Sequence, residues 1–280
     1  MTTAFTSRHE TFYRRNEGHV VINNLLSKLQ ANQRRGSKPR CHLFTHGSLA
    51  AVAARLTRLC APFGHVTATD KWMPRGFDDV TEAQLDKAPS LVTPALGKQL
   101  HEWWLGKGRH EGMTPNFDIA STCIIGGQPG LMLVEAKAHD RELIDAEAGR
   151  VVSKDASPER AATQVPIGQA IEDANRGLAA ATSQAWKLDR DSHYQMSNRF
   201  AWSWKLAELG VPVILVYLGF LRAVEMEDKG KLILSQADWE QTVMAHSQPL
   251  FPAKIWNNNW AVGGVSLIPL IRTEDQPLSA

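Results

Sequence analysis

Residues 116–143 read NFDIASTCIIGGQPGLMLVEAKAHDREL, and the organisation of the chain is built outward from them. Most of the stretch is apolar and β-prone, and one Gly/Pro turn breaks it, which is the pattern of a β-hairpin. Its open end carries three charges: Asp118 near the start, and Glu135 and Lys137 near the exit. A turn over GGQPG (126–130) with Gly126 opposite Gly130 would set Asp118 against position 138. Side chains alternate along a strand, so Leu131, Leu133, Glu135 and Lys137 share one face, with Val134 and Ala136 on the other. The second strand is then core in its first half and charged only where it leaves the sheet.

Paired carboxylates on adjacent strands repel each other unless a cation lies between them. Mg²⁺ suits such a place because it takes hard oxygen ligands and keeps several waters, and it can activate one of those waters near neutral pH. Lys137, on the face of Glu135, would orient that water or offset charge in a transition state. The plainer alternative is a solvated strand end with a surface Glu–Lys pair, which contributes little energy. A second acid-x-Lys triplet, Glu227–Lys229, lies in the polar turn EMEDKGK with no apolar strand leading directly into it. Context therefore favours Glu135 and Lys137 as the functional pair.

Around the hairpin the chain alternates helix and strand signals. HVVINNLLSKLQANQ (19–33) has helical spacing, and RCHLFTH (40–46) reads as a short strand feeding an Ala/Leu helix that stops before Pro62. Residues 65–93 are weakly patterned and are expected to connect. TPALGKQLHEWWLGKG (93–108) predicts a helix with Thr93 as N-cap, Pro94 at its first position and a buried stripe of Leu96, Leu100 and Trp103. Helices are expected over 166–186 and over DSHYQMSNRFAWSWKLAELGVP (191–212). The latter is capped by Asp191 or Ser192 and ended by Gly210 and Pro212. VPVILVYLGFL (211–221) is too apolar to be anything but a buried central strand. The tail adds a short strand (231–235), a helix (236–246) and a strand near GVSLIPLIRT. This order predicts an α/β fold with helices on both faces of a mixed sheet.

With 280 residues, 43% of them hydrophobic, the chain can bury one large core. No run of about 18 apolar residues occurs and MTTAFTSRHETFYRR has no apolar centre, so neither a membrane span nor a secretory signal is expected. Three cysteines without CxxC spacing point to free thiols in a reducing cytoplasm. Charge is uneven: residues 1–40 hold eight basic side chains (Arg8, Arg14, Arg15, Lys28, Arg34, Arg35, Lys38, Arg40) against Glu10 and Glu17, although the whole chain is only +2. That segment either meets a phosphate backbone or forms a solvated face.

Asp118 in PNFD, followed on the next strand by Glu135 and Lys137 in LVEAK, resembles the signature of the PD-(D/E)XK nuclease superfamily. The proline stands at Pro115 rather than directly before the aspartate. The resemblance covers roughly residues 94–222. It implies a restriction-endonuclease-like αβββαβ core with a central mixed β-sheet flanked by helices and an N-terminal helical extension; the third core strand is not located. The resulting division is a basic helical and strand region (1–80), a catalytic core (81–230) and a strand–helix–strand extension packed on it (231–280). The resemblance further implies Mg²⁺-dependent phosphodiester hydrolysis, with Mn²⁺ able to substitute, most readily on DNA by a restriction- or repair-like endonuclease. Asp118, Glu135 and Lys137 would be catalytic. Asp118, Glu135, the Ala136 carbonyl and Glu102 of the preceding helix would hold the metal. Gln195 is the matching glutamine on a later helix, with Asn198 and Arg199 on its adjoining face and Met196, Phe200 and Trp204 on its core side. Gln195 and Arg199 are expected to face solvent, and with His139 they are the candidate substrate contacts. Cutting two strands would favour a homodimer. The competing reading is a catalytically inactive member of this fold that binds nucleic acid or a protein.

Other features carry less. Trp256 and Trp260 flank three asparagines in KIWNNNWAVGG, where they would either stack on unpaired bases or cover the core. His42 and His46 have the spacing of a helical zinc pair but lie in an expected strand, and no Glu follows His42 as HExxH requires. THGSLA lacks the G-x-S-x-G elbow, and neither a P-loop nor a G-x-G-x-x-G motif follows a strand.

Overall fold

A computed structural model describes residues 22–108, 112–145 and 158–278, with side chains in the last segment from residue 164. Arg8, Arg14 and Arg15 of the basic segment lie outside the described residues. Helices α1 (22–27), α2 (Ser37–Phe44) and α3 (Leu49–Cys60) come first, then the short strands β1 (Gly64–His65), β2 (Trp72–Met73) and β3 (Ala83–Gln84). Helix α4 (Pro94–Leu105) precedes β4 (Asn116–Phe117), β5 (Ile119–Ile125) and β6 (Gln128–Lys137). After α5 (Asp140–Asp145), α6 (Pro158–Thr182) and α7 (Tyr194–Glu208) comes β7 (Val213–Phe220). Helix α8 (Gln236–Ser247) and strands β8 (Trp260–Val262) and β9 (Val265–Glu274) complete the order.

One mixed sheet runs β1-β5-β6-β7-β9-β8, with β2 also pairing to β5. Strands β5 and β6 form the antiparallel hairpin, whereas β6, β7 and β9 are parallel. Parallel pairing demands a long crossover, and α5, α6 and α7 supply it between β6 and β7. Every residue of β7 is buried, because it is a central strand covered on both faces. Odd-numbered β6 residues Leu131 and Leu133 join Trp104 of α4, Ile171 of α6, Phe200 of α7 and Trp239 of α8 in one apolar layer. Even-numbered Met132, Val134 and Ala136 join Phe44 of α2 with Val52 and Leu56 of α3 in the other. The α/β expectation, with helices on both sheet faces, is met. Strands from all three stretches of the expected division enter this one sheet: β1 and β2 before residue 81, and β8 and β9 after residue 230.

Several local expectations change. RCHLFTH lies mainly in helix α2 rather than a strand; Pro39, Arg40, Cys41, His42 and Phe44 are all buried there, so no polar face exposes the helical period. His42 and His46 both pack their rings on Phe77, at 5.7 and 5.6 Å. The stretch 65–93 is not mere connection, since β2 pairs with β5 and β3 pairs with β4. Residues 231–235 form no strand, only a single bridge from Leu232 to His139. Helix α4 begins as expected, with the Thr93 hydroxyl accepting from the Leu96 amide, but its fully buried indole is Trp104, while Trp103 is half-buried. Helix α7 starts at Tyr194 without a side-chain cap, two or three residues after the expected caps. Trp256 is core, its ring 5.3 Å from those of Phe200 and Tyr217, and Trp260 enters β8.

Candidate active site

The hairpin turn sets the geometry. Strand β5 ends at Ile125 and β6 begins at Gln128, so only Gly126 and Gly127 turn the chain, both at positive φ (56° and 82°). That is the backbone of the tight two-residue turn that matches strand twist, and glycine takes it without steric penalty. Gln128 and Pro129 are thus strand rather than loop, and Ile119 pairs with Val134. One step on, Asp118 stands level with Glu135 and not with position 138, which corrects the expected register by three.

Asp118 occupies the bend between β4 and β5. Strand β3 holds β4 through the pairs Ala83–Phe117 and Gln84–Asn116, and Glu82 accepts from the Asn116 side chain at 3.2 Å. Asp118 Oδ2 in turn accepts from the Ala136 amide at 2.7 Å, which ties the two strands together at the site. Burial, and then the charge of Glu135, push the Asp118 carboxyl up to about 8.

Glu135 is almost fully buried, at 1% exposure, and both its oxygens are engaged. Lys137 Nζ donates to Oε1 and Arg199 Nε to Oε2, each at 2.6 Å. Against its own desolvation, Arg199 and then Lys137 hold Glu135 below the usual carboxylate range. Lys137, against its desolvation, is held above its ordinary value by Glu135 and Asp118. Lys137 Nζ also donates to Gln195 Oε1 at 2.7 Å. Arg199 stacks its guanidinium 4.9 Å from the Phe117 ring centroid and donates to Asn198 Oδ1 at 2.6 Å. Spacing of i, i+3 and i+4 puts Gln195, Asn198 and Arg199 on one face of α7, and that face points at β6 instead of solvent. This overturns the expectation for Arg199, which is 6% exposed.

The structure therefore brings together Asp118, Glu135, Ala136, Lys137, Gln195, Asn198 and Arg199. A cleft of about 400 Å³ opens over them, lined by Asp118, Gln195, Asn198 and Arg199 with Glu82 and Tyr194. Glu82 was hidden from sequence reading because β3 is two residues long and shows no period. Glu102 is not brought in: it lines a different cleft with His101 and Asp86 and sits 3.9 Å from Lys98. His139 is buried beyond the strand end, in the wall of a third cleft with Arg35, Arg141 and Glu142, and is not the exposed residue expected. Glu142, also unforeseen, clamps the strand exit by accepting from the Ala138 and Ser37 amides at 2.6 and 3.2 Å.

Two carboxylates with a lysine beside them provide hard oxygen donors for a divalent cation and an ammonium that can hydrogen-bond a water. Among the described residues, no group of three or more His, Cys, Asp or Glu is arranged to hold a metal, so an ion here would depend on water, substrate and backbone oxygen as well. No helix of the described residues is long and apolar enough to cross a membrane. No family model, no curated protein and no solved structure matches this chain.

Proposed function

We propose that the chain is a Mg²⁺-dependent nuclease of the PD-(D/E)XK type, hydrolysing phosphodiester bonds, most readily in DNA. The observation that carries this reading is the meeting of Asp118 with Glu135–Ala136–Lys137 across the hairpin, fixed by the Ala136–Asp118 hydrogen bond. Asp118 and Glu135, with the Ala136 carbonyl, are the residues that would hold Mg²⁺, or Mn²⁺ in its place. When bound, the ion would supply Lewis-acid stabilisation of the phosphoryl oxygens and a lowered water pKa. Lys137, steadied by Gln195, presents an ammonium that orients the attacking water and offsets charge developing on phosphate. Arg199 is a second cation in the same wall, with a planar fork suited to phosphate oxygens.

Cleavage of linear, circular and single-stranded DNA and of RNA, in Mg²⁺, Mn²⁺ or EDTA, tests the reading. Metal-dependent cleavage is expected in the wild type, falling by about 10² or more in Asp118→Asn and in Lys137→Met. Equal cleavage in wild type and variants would show a contaminant and remove the assignment. A second reading, an inactive binding module for nucleic acid or protein, is favoured by one observation: both oxygens of Glu135 are already satisfied by Lys137 and Arg199. Its signature would be an unchanged thermal melt with and without divalent ions.

A further inference from the structure

Resting on the nuclease reading, we infer that Arg199 is a latch on Glu135 that couples cation binding to phosphodiester binding. The guanidinium holds Glu135 Oε2 until both arrive, and then passes to the anion.

A cation arriving at Glu135 must displace the groups already bound to it. Glu135 Oε2 is taken by Arg199 Nε at 2.6 Å, and Oε1 by Lys137 Nζ at the same distance. Each would keep a neutral amide oxygen if Glu135 were lost, but of the two it is Arg199 that lines the cleft. Lys137 has a second acceptor, Gln195 Oε1 at 2.7 Å, so losing Glu135 leaves its ammonium partly satisfied. Arg199 likewise keeps Asn198 Oδ1, and beside it the face of Phe117 and the charge of Asp118, on which the same cation would draw. It is 6% exposed, and a neutral water reaching it would not restore the charge balance lost with the carboxylate. Stripping one partner from a buried ion pair is strongly unfavourable because the remaining charge is left uncompensated. A cation entering alone therefore works against Arg199.

A phosphodiester removes that opposition. Arg199 lines the cleft above Asp118, where an anion would meet it. A planar guanidinium matches phosphate oxygens, with paired N–H donors in a fixed fork. Anion binding thus frees Glu135 for the cation, and the cation in turn frees Arg199 for the anion. Such coupling is reciprocal by thermodynamic necessity. The device would keep the site from loading its ion firmly without substrate.

Mn²⁺ binding to the full chain, followed by the electron paramagnetic resonance of free Mn²⁺, reads the coupling without turnover. Dimethyl phosphate serves as a singly charged phosphodiester probe, and trimethyl phosphate as its neutral counterpart of similar shape. The wild type is expected to bind Mn²⁺ about tenfold or more tightly with dimethyl phosphate, and no tighter with trimethyl phosphate. Arg199→Met is expected to bind Mn²⁺ more tightly than wild type in the absence of anion and to lose the anion response. Arg199→Lys, which keeps charge without the fork, serves if the methionine variant fails to fold, and its anion response should fall below that of wild type. A wild type indifferent to dimethyl phosphate, or an Arg199→Met protein that keeps the full response, overturns the latch. If Mn²⁺ binds and Asp118→Asn abolishes it while the anion effect is absent, the latch alone falls. If no Mn²⁺ binds to the wild type with or without dimethyl phosphate, the latch and the nuclease reading fall together.

Discussion

Glu135 is a carboxylate inside a layer of leucines and aromatic rings, and Lys137 and Arg199 make that placement tolerable. Removing it strands two buried cations, so Glu135→Ala is expected to cost about 3–5 kcal/mol in urea unfolding. A loss below about 1 kcal/mol would mean that both cations relax to water, contrary to their burial. His42 offers a second single-residue test through pH. It is 1% exposed, and burial, followed by the charge of Lys38, lowers its imidazole to about 4. A histidine lowered on folding favours the folded state fully above its unfolded value near 6.5, and that contribution is lost as pH falls through 4. Unfolding free energy should therefore drop by roughly 2–4 kcal/mol between pH 7 and 4 through this group. His42→Asn should flatten that part of the pH profile whatever its effect at pH 7; an unchanged slope would show that other groups set the acid sensitivity.

At the scale of elements, the β5–β6 turn is the part whose failure would reach the site most directly. Gly126 and Gly127 have open space around the position of a Cβ, so a substitution there meets only backbone strain. Gly127→Val is expected to cost about 1–2 kcal/mol in chemical denaturation, and Gly127→Asn clearly less, because asparagine visits this backbone region more easily. Equal costs for the two would mean that φ is not what the position demands. The hairpin and its charges were legible because apolar alternation and a glycine turn are local signals, but the register was not, since a two-residue and a longer turn both fit GGQPG. Helix α4 was legible from its cap and spacing and α8 to within a residue, whereas α6 begins at Pro158, eight residues before the expected start at 166, and ends at Thr182, four before the expected end. The core side of α7, Met196, Phe200 and Trp204, was read as it stands, but its other face was not: the helix is buried along nearly its whole length, so its stripe does not separate core from solvent. Strand β7 could be read from its unbroken apolar run, whereas β1, β2 and β8, at two or three residues, are shorter than any period. The carboxylates of the site, Lys137 and Arg199 were therefore visible in the sequence, while the pairing of Arg199 with Glu135 came only from packing.

Across the whole molecule, the basic N-terminal segment has to be weighed as a surface for nucleic acid. Where it is described, three of its charges are answered by carboxylates from elsewhere in the fold. Arg35 pairs with Asp228, Lys38 with Glu82 at 2.8 Å, and Arg40 with Glu225. Arg34 donates to the carbonyls of Leu29 and Ser27. Arg40 is 1% exposed and donates to the Gly36 carbonyl as well, so its role is to bind α2 to the turn that follows β7. A phosphate approaching Arg35 or Lys38 would meet a carboxylate beside each, which cancels most of the attraction that a bare basic patch would exert. Salt dependence measures this, because each phosphate neutralised by a lysine or arginine adds about 0.9 to the slope of log K against log salt on duplex DNA. The double variant Arg35→Ala/Lys38→Ala is therefore expected to change the slope for a DNA duplex by less than about 0.5 in a fluorescence anisotropy titration. A fall near 1.8 would show that both side chains leave their carboxylates for the backbone. The electrostatic grip would then lie on this face, and the cleft around Arg199 would be left only the scissile phosphate to hold.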